Sequence, residues 1–199
     1  ELNINPDDYF KSIKQEPIAS ASISQVYEAY LIDGTKVVLK IKRSNIDKII
    51  KSDILLMKDL ANILENKYEQ AKRMNLSQIV NSFQNSVLKE LSFRNELSNI
   101  ERFRNNFKNS TDVYVPKTYK ELSNNNILCM EFVEGDKINN KQKLIELDLN
   151  PVEVADKGLN LFMKQIFEDG FFHADPHPGN VFMLKNKKIA FIDFGSMGI

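Results

Sequence analysis

The chain has 199 residues, room for one domain or two small lobes. Hydrophobic residues make up 42% and charged residues 27%, a globular composition, and 27 basic residues balance 27 acidic ones, so no nucleic acid or other polyanion partner is implied. A single cysteine, Cys129, excludes an internal disulfide and fits a reducing compartment; its apolar neighbours Leu128 and Met130 assign it to the core. Residues 1–10 are polar and acidic and do not read as a signal peptide. No window approaches the roughly 20 apolar residues that cross a bilayer, so this stretch of chain is expected to be soluble. Residues 25–32 and 35–41 are β-prone runs joined by the turn pair Asp33-Gly34. The short basic cluster Lys40-Ile41-Lys42-Arg43 reads as a solvated strand end. Ser44 is the expected cap of a helix reaching about residue 66, whose apolar stripe includes Ile46, Ile50, Ile54, Met57, Ala61 and Leu64. A single longer helix is expected over 76–107, with Ile79, Phe83, Val87, Leu91, Leu97, Ile100 and Phe103 along it. Residues 113–115 and 118–122 look extended, 124–126 form a turn, and 127–133 form a buried strand. Asn150-Pro151-Val152-Glu153 opens a helix that Gly170 can end, and 181–184 with 189–192 form a hairpin. The pattern is α+β and two-lobed, with the cleanest boundary near residues 131–135.

The chemistry concentrates in Gly170-Phe171-Phe172-His173-Ala174-Asp175-Pro176-His177-Pro178-Gly179-Asn180 and, further on, Ile192-Asp193-Phe194-Gly195. An Asp stands five residues before an Asn, and a second Asp follows the Asn by thirteen. Kinase-type phosphoryl transfer needs one carboxylate near the attacking hydroxyl, plus an amide oxygen and a second carboxylate on Mg²⁺. Asp175 is the candidate base or orienting carboxylate. Asn180 offers a neutral oxygen suited to Mg²⁺ beside phosphates, and Asp193 a hard carboxylate at a strand end. Pro176 and Pro178 stiffen the loop and Gly179 lets it turn. His173 is expected to brace the loop, with His177 as a loop or substrate-side residue. A metal centre of two His and one carboxylate is the competing reading of this loop, disfavoured because the two histidines are only four residues apart. Lys40 ends the apolar run Val37-Val38-Leu39, as a strand lysine that reaches α- and β-phosphates does. Its carboxylate partner is Glu90 or Glu96; six residues apart on one helix, they point to different sides, and spacing does not choose between them. No glycine precedes Gly34, so a Gly-rich phosphate loop is absent. The small-residue stretch from Ile18 to Val26 stands in its place; small side chains would let backbone approach phosphates, but on composition alone it reads as an ordinary tight turn.

Taken together these segments resemble the UbiB/AarF/ABC1 family of atypical kinases. Pro17-Ile18-Ala19-Ser20-Ala21-Ser22-Ile23-Ser24-Gln25-Val26 resembles its Ala-rich loop, Val37-Val38-Leu39-Lys40 its lysine strand, and Lys89-Glu90-Leu91-Ser92-Phe93-Arg94-Asn95-Glu96 its Glu-Leu-Asp-Phe-Arg-x-Glu segment. The His-Ala-Asp-Pro-His-Pro-Gly-Asn string is the most specific of the matches. The resemblance covers nearly the whole chain and implies a protein-kinase-like fold, truncated after the Asp-Phe-Gly segment. Residues 1–133 would be N-lobe-like with inserted helices, and 134–199 a partial C-lobe. It implies ATP and Mg²⁺ as cofactors. Lys40 would pair with Glu96, with Asp175 catalytic and Asn180 and Asp193 on the metal. Ala19, Ser20, Ala21, Ser22, Ile23 and Ser24 would lie over the nucleotide, with Glu131 and Val133 in the hinge. Glu90 belongs to the family's Glu-x-Asp element, whose Asp is here Ser92. Ser24 stands where Gly or Ala is usual. The family's Lys-x-Gly-Gln motif and its C-terminal membrane helices have no counterpart, so the chain is expected to be a fragment.

The resemblance further implies a role in isoprenoid quinone or membrane-lipid metabolism. The full-length protein would sit at the cytoplasmic face of a membrane, with a lipid or quinone precursor as partner through parts outside this chain. Within the family the small-residue loop and the missing motif are thought to favour ATPase activity over protein phosphorylation. Two other readings compete. One is a small-molecule phosphotransferase of the aminoglycoside or choline type, which has a similar His-x-Asp-x-x-x-x-Asn loop. The other is a nucleotide-binding scaffold without turnover.

Overall fold

The structure is a computed structural model that describes residues 5–199; the first four residues of the acidic N-terminal segment lie outside the described residues. Strands β1 (Phe10–Ile13) and β2 (Ala19–Ser20) both pair antiparallel with β3 (Ser24–Leu31). β3 pairs in turn with β4 (Lys36–Lys42) across the turn predicted at Asp33-Gly34. Gly34 takes φ 85°, a left-handed value natural to glycine, and the Asp33 carboxylate accepts from Thr35 N at 2.8 Å. The four consecutive β4 residues Val37, Val38, Leu39 and Lys40 are all buried, so both faces of this strand are covered. Alternation divides them. Val37 and Leu39 join Phe10, Tyr119 and Cys129 in one apolar cluster, while Val38 joins the larger one. Lys40 shares the Val38 face. Cys129 is fully buried, as its neighbours suggested, and burial pushes its thiol up to about 12.

Four helices follow: α1 (Ile46–Lys67), α2 (Glu69–Met74), α3 (Leu76–Glu90) and α4 (Phe93–Asn106). Ser44 does not cap α1. Asn45 holds that position in a left-handed conformation, φ 63°, with no side-chain bond to the first turn. The continuous helix expected over 76–107 is two helices. Ser92 is extended (φ −102°, ψ 104°), and its hydroxyl accepts from Asn95 N at 3.4 Å, capping α4. The apolar stripe was legible but its two halves serve different neighbours. α3 packs on α1, whereas α4 buries Phe93, Ile100 and Phe103 in the larger cluster.

β5 (Val113–Tyr114) comes next; Thr118 bridges to Met130, and 120–122 form a turn of 3₁₀ helix where extended chain was expected. β6 (Ile127–Glu131) pairs with β4, Lys40 opposite Leu128, and ends two residues earlier than expected. β7 (Asp136–Lys137) and α5 (Lys141–Glu146) lie where the sequence offers little periodicity. α6 (Pro151–Phe167) starts as its sequence dictates: Asn150 Oδ1 accepts from Val152 N at 3.0 Å, ahead of Pro151. Its C-cap is Glu168, two residues before Gly170. β8 (Phe172–His173), β9 (Val181–Met183), β10 (Ile189–Phe191) and β11 (Met197–Gly198) complete the chain, with β9 and β10 forming the predicted hairpin. The second sheet runs β5-β10-β9-β7, so β5, from the first part of the chain, pairs parallel with β10 from the last. α4 lies between the sheets: the Phe103 ring meets Phe191 and Phe194 at centroid distances of 5.4 and 5.2 Å.

Candidate active site

The fold brings the sequence-selected residues to one cleft of about 490 Å³. Ala19, Ser20, Ala21, Ser22, Ile23 and Ser24 line it, together with Lys40, Glu96, Glu131, Val133, Asp175, Asn180 and Asp193. Sequence reasoning missed the apolar liners Val38, Met130 and Phe182. Strand alternation from Lys40 was a signal for Val38, and the β6 run one for Met130.

Lys40 Nζ lies 2.6 Å from Glu96 Oε1 and 3.5 Å from Asp193 Oδ1. Lys40 is 8% exposed and Glu96 2%. Burial opposes the charge on Lys40, but Glu96 and Asp193 together outweigh it and hold the ammonium above its ordinary pKa. Burial and the Asp193 carboxylate push Glu96 upward against the restraint of Lys40. Burial also opposes ionisation of Asp193, yet Lys40, the Gly195 N–H at 3.0 Å and His173 bring its pKa below the usual carboxylate value. Glu96 does double duty: its Oε1 also accepts from Phe194 N at 3.3 Å, while Asn99 Nδ2, one turn along α4, donates to Phe194 O at 2.8 Å. The helix that presents Glu96 therefore also holds the backbone that presents Asp193. The choice the sequence left between Glu90 and Glu96 falls to Glu96 as the partner of Lys40. Glu90 lines the cleft as well.

The loop before Asn180 is fixed by histidine. His173 is buried, and its Nδ1 accepts from Asp175 N at 3.2 Å, which places the neutral ring's proton on Nε2. Burial lowers its pKa, against the Asp193 backbone and the Asp193 and Asp175 carboxylates. Its backbone N–H donates to Gln165 Oε1 at 2.9 Å, anchoring the loop on α6. His177 is exposed and accepts from Gly179 N at 3.0 Å, shaping the turn that delivers Asn180. Ile192 N donates to Asn180 O at 3.1 Å, so the segments carrying Asn180 and Asp193 are joined through backbone. Both histidines act on backbone, and among the described residues no cluster of three His, Cys, Asp or Glu is placed to hold a metal. The arrangement is one ammonium facing two carboxylates, in a cleft also lined by small residues, a third carboxylate and an amide.

Over residues 1–199 the chain matches the family described as ABC1 atypical kinase-like domain. It is 39% identical over 182 residues to the "Probable protein kinase UbiB" of Cellvibrio japonicus, covering 92% of this chain and 33% of the relative. It is 34% identical over 198 residues to the chloroplastic "Protein ACTIVITY OF BC1 COMPLEX KINASE 3" of Arabidopsis thaliana, covering 99% and 28%. The chain thus spans about a third of the length of these relatives. Among solved structures, Rv3197 from Mycobacterium tuberculosis, in complex with erythromycin, superposes with a TM-score of 0.80 at 25% identity over 99% of this chain and 49% of that one. The Rio2 kinase from Chaetomium thermophilum, solved with ADP, Mg²⁺ and phosphoaspartate, does so with a TM-score of 0.50 at 13% identity over 94% and 49%, a likeness of fold. The fold is mixed α/β and kinase-like.

Proposed function

The chain belongs to the ABC1 atypical kinase-like domain family, and from that premise we propose that its cleft binds ATP with Mg²⁺ and transfers or hydrolyses the γ-phosphoryl group. The observation that carries the proposal is the Lys40 ammonium between Glu96 and Asp193, in one cleft with Asp175 and Asn180. In this reading Lys40 meets the α- and β-phosphates, and Glu96 fixes its reach. Glu131 and Val133 flank the adenine, and the loop of Ala19, Ser20, Ala21, Ser22, Ile23 and Ser24 covers the phosphates. Asp175 orients the attacking oxygen or accepts its proton. Residues 1–133 and 134–199 act as the two lobes, with β5 stitched into the sheet of the second.

The donor set suits Mg²⁺. This ion takes one or two carboxylates and completes its shell with water and phosphate oxygens, so a protein cage of three acids is not required. Asp193 is held ionised, and the Asn180 amide shares its cleft. Asn180 and Asp193 would hold the ion. When bound it supplies charge neutralisation at the transferring phosphoryl group.

Relatives named as kinases support kinase-like chemistry at the level of the family. ATP hydrolysis is favoured here over protein phosphorylation on the family resemblance, within which a small-residue loop is thought to go with ATPase activity. A contribution to isoprenoid quinone or membrane-lipid metabolism, at a membrane surface, is the proposed setting. Among the described residues no helix is long and apolar enough to cross a membrane.

The test is a thermal-shift titration with Mg²⁺-ATP, followed by phosphate release with and without small hydroxylated acceptors. Binding at 100-fold over the dissociation constant adds about 2.7 kcal/mol. Phosphate release without an acceptor supports the ATPase reading. Transfer to a hydroxylated small molecule would instead make this a small-molecule phosphotransferase, and binding without turnover a scaffold. No stabilisation by Mg²⁺-ATP would overturn the proposal.

A further inference from the structure

We propose that Arg43, outside the cleft, is a positioning residue that holds the phosphate-covering loop in its working shape. The inference rests on the nucleotide reading above only for its consequence, not for the clamp itself. Arg43 follows β4, where the sheet ends beside the turn between β2 and β3. It reaches that turn three ways. Its backbone N–H donates to Ile23 O at 2.9 Å, its Nε to Ala21 O at 3.0 Å, and its Nη2 to Ser20 Oγ at 2.7 Å. Within the turn Ala21 N donates to Ser24 O at 2.9 Å, next to the pairing of Ser20 with Gln25.

A loop that faces phosphates must turn its N–H groups to the anion and its carbonyl oxygens elsewhere. Glycine-rich loops reach that arrangement through backbone freedom that residues 19–24 lack. Here the Arg43 guanidinium takes up the carbonyl of Ala21 and the Arg43 backbone N–H takes up that of Ile23, so both oxygens are already engaged by Arg43. The planar guanidinium suits the task because its donors are fixed relative to one another, and one group meets a carbonyl and a hydroxyl together. Lysine keeps the charge but not the fork.

The experiment compares wild type, Arg43→Ala and Arg43→Lys in two measurements. The first is hydrogen exchange of residues 19–24 in the nucleotide-free protein. Both variants are expected to exchange faster there, with the rest of the sheet unchanged. The second is calorimetric titration with Mg²⁺-ADP. Losing the two side-chain bonds should weaken binding about tenfold in Arg43→Ala, and Arg43→Lys should not restore it. Recovery of affinity by lysine would mean that Arg43 acts as a charge near the phosphates and would overturn the positioning role. Unchanged exchange at 19–24 in Arg43→Ala would overturn the clamp outright. If wild type shows loop protection that the variants lose, yet binds no Mg²⁺-ADP, the clamp stands and the nucleotide reading fails.

Discussion

Replacing Glu96 by glutamine isolates the charge of the central pair, because a glutamine oxygen can still accept from Phe194 N while the carboxylate facing Lys40 is lost. Unit charges 2.6 and 3.5 Å apart attract by about 6 and about 5 kcal/mol at an effective dielectric constant of ~20. Most of that offsets the desolvation of three buried or half-buried groups. Removing one partner of a buried pair costs about 3–5 kcal/mol net, and the surviving Asp193 contact keeps this case near the lower end, about 3 kcal/mol. For a chain of this size each kcal/mol lowers Tm by about 2–4 °C, so a fall on the order of 6–12 °C is expected. Adding Lys40→Met should recover part of the loss, since a buried ammonium left with only its longer contact to Asp193 is then removed. The sign of the pH effect follows from Lys40. Its folded pKa is raised, so its contribution is present below the ordinary lysine value of 10.5 and is lost as pH rises through the folded value. Glu96→Gln should therefore begin alkaline unfolding at lower pH than wild type. Urea titrations of the single and double variants at pH 7, with Tm read up to pH 11, provide the measurement. A single variant within about 0.5 kcal/mol of wild type, or a double variant less stable than Glu96→Gln, would refute the reasoning.

Asp193→Asn should abolish Mg²⁺-dependent nucleotide binding, whereas Asp175→Asn should leave binding intact and cut turnover by about 10²–10⁴-fold, read by calorimetry and phosphate release. Glu101 is bound by the Thr118 hydroxyl at 2.5 Å, Arg104 at 2.7 Å and Lys120 at 3.0 Å, and these hold its carboxyl down at about 2 against an ordinary 4.5. Its folded pKa lies below the unfolded one, so its contribution is full above pH 4.5 and is lost as pH falls toward 2. With its side chain 30% exposed, solvent screening limits the cost of Glu101→Gln to about 1 kcal/mol at pH 7, shrinking as the urea titration is moved below pH 4. Gln165→Leu removes the buried acceptor of the His173 N–H and should cost about 1–3 kcal/mol, with turnover falling more than nucleotide affinity because the loop carrying Asp175 loosens.

What the sequence disclosed and what it concealed separate along physical lines. The hairpin at Asp33-Gly34, the start of α6 and the hairpin of β9 and β10 were legible because turn and cap chemistry is local. That Asp175, Asn180 and Asp193 meet in one cleft was legible from their close spacing along the chain. The Glu90 and Glu96 question was not, and the reason is specific. Six residues apart on one continuous helix, the two carboxylates would diverge by about a third of a turn. The helix is not continuous. The extended Ser92 resets the phase between α3 and α4, and both glutamates reach the cleft. A serine with Asn95 three positions on is a weak capping signal inside a long apolar stripe, so periodicity overrode it. α5 and β7 escaped for a simpler reason: they are short, and tertiary contacts decide short elements.

The basic cluster at 40–43 shows how composition misleads where alternation informs. Read as charge, it is a solvated strand end. In the structure each of its three cations is engaged differently. Lys40 turns inward with Val38 to Glu96. Lys42, two residues on and on the same face, reaches Asp47 in the first turn of α1 at 3.2 Å, with only 7% of its side chain exposed. Asp47 also favours that helix start through the dipole. Arg43, past the last residue of β4, is free of the ladder's side-to-side constraint and reaches back to Ser20 and Ala21. One strand end thus sets the ion pair in the cleft, the start of α1, and the turn between β2 and β3. A one-residue register slip of β4 against β3 would turn Lys40 and Lys42 to the opposite face and remove the first two together. Substitutions in the turn at Asp33-Gly34, well away from the cleft, are therefore expected to impair nucleotide binding through register before they expose any core.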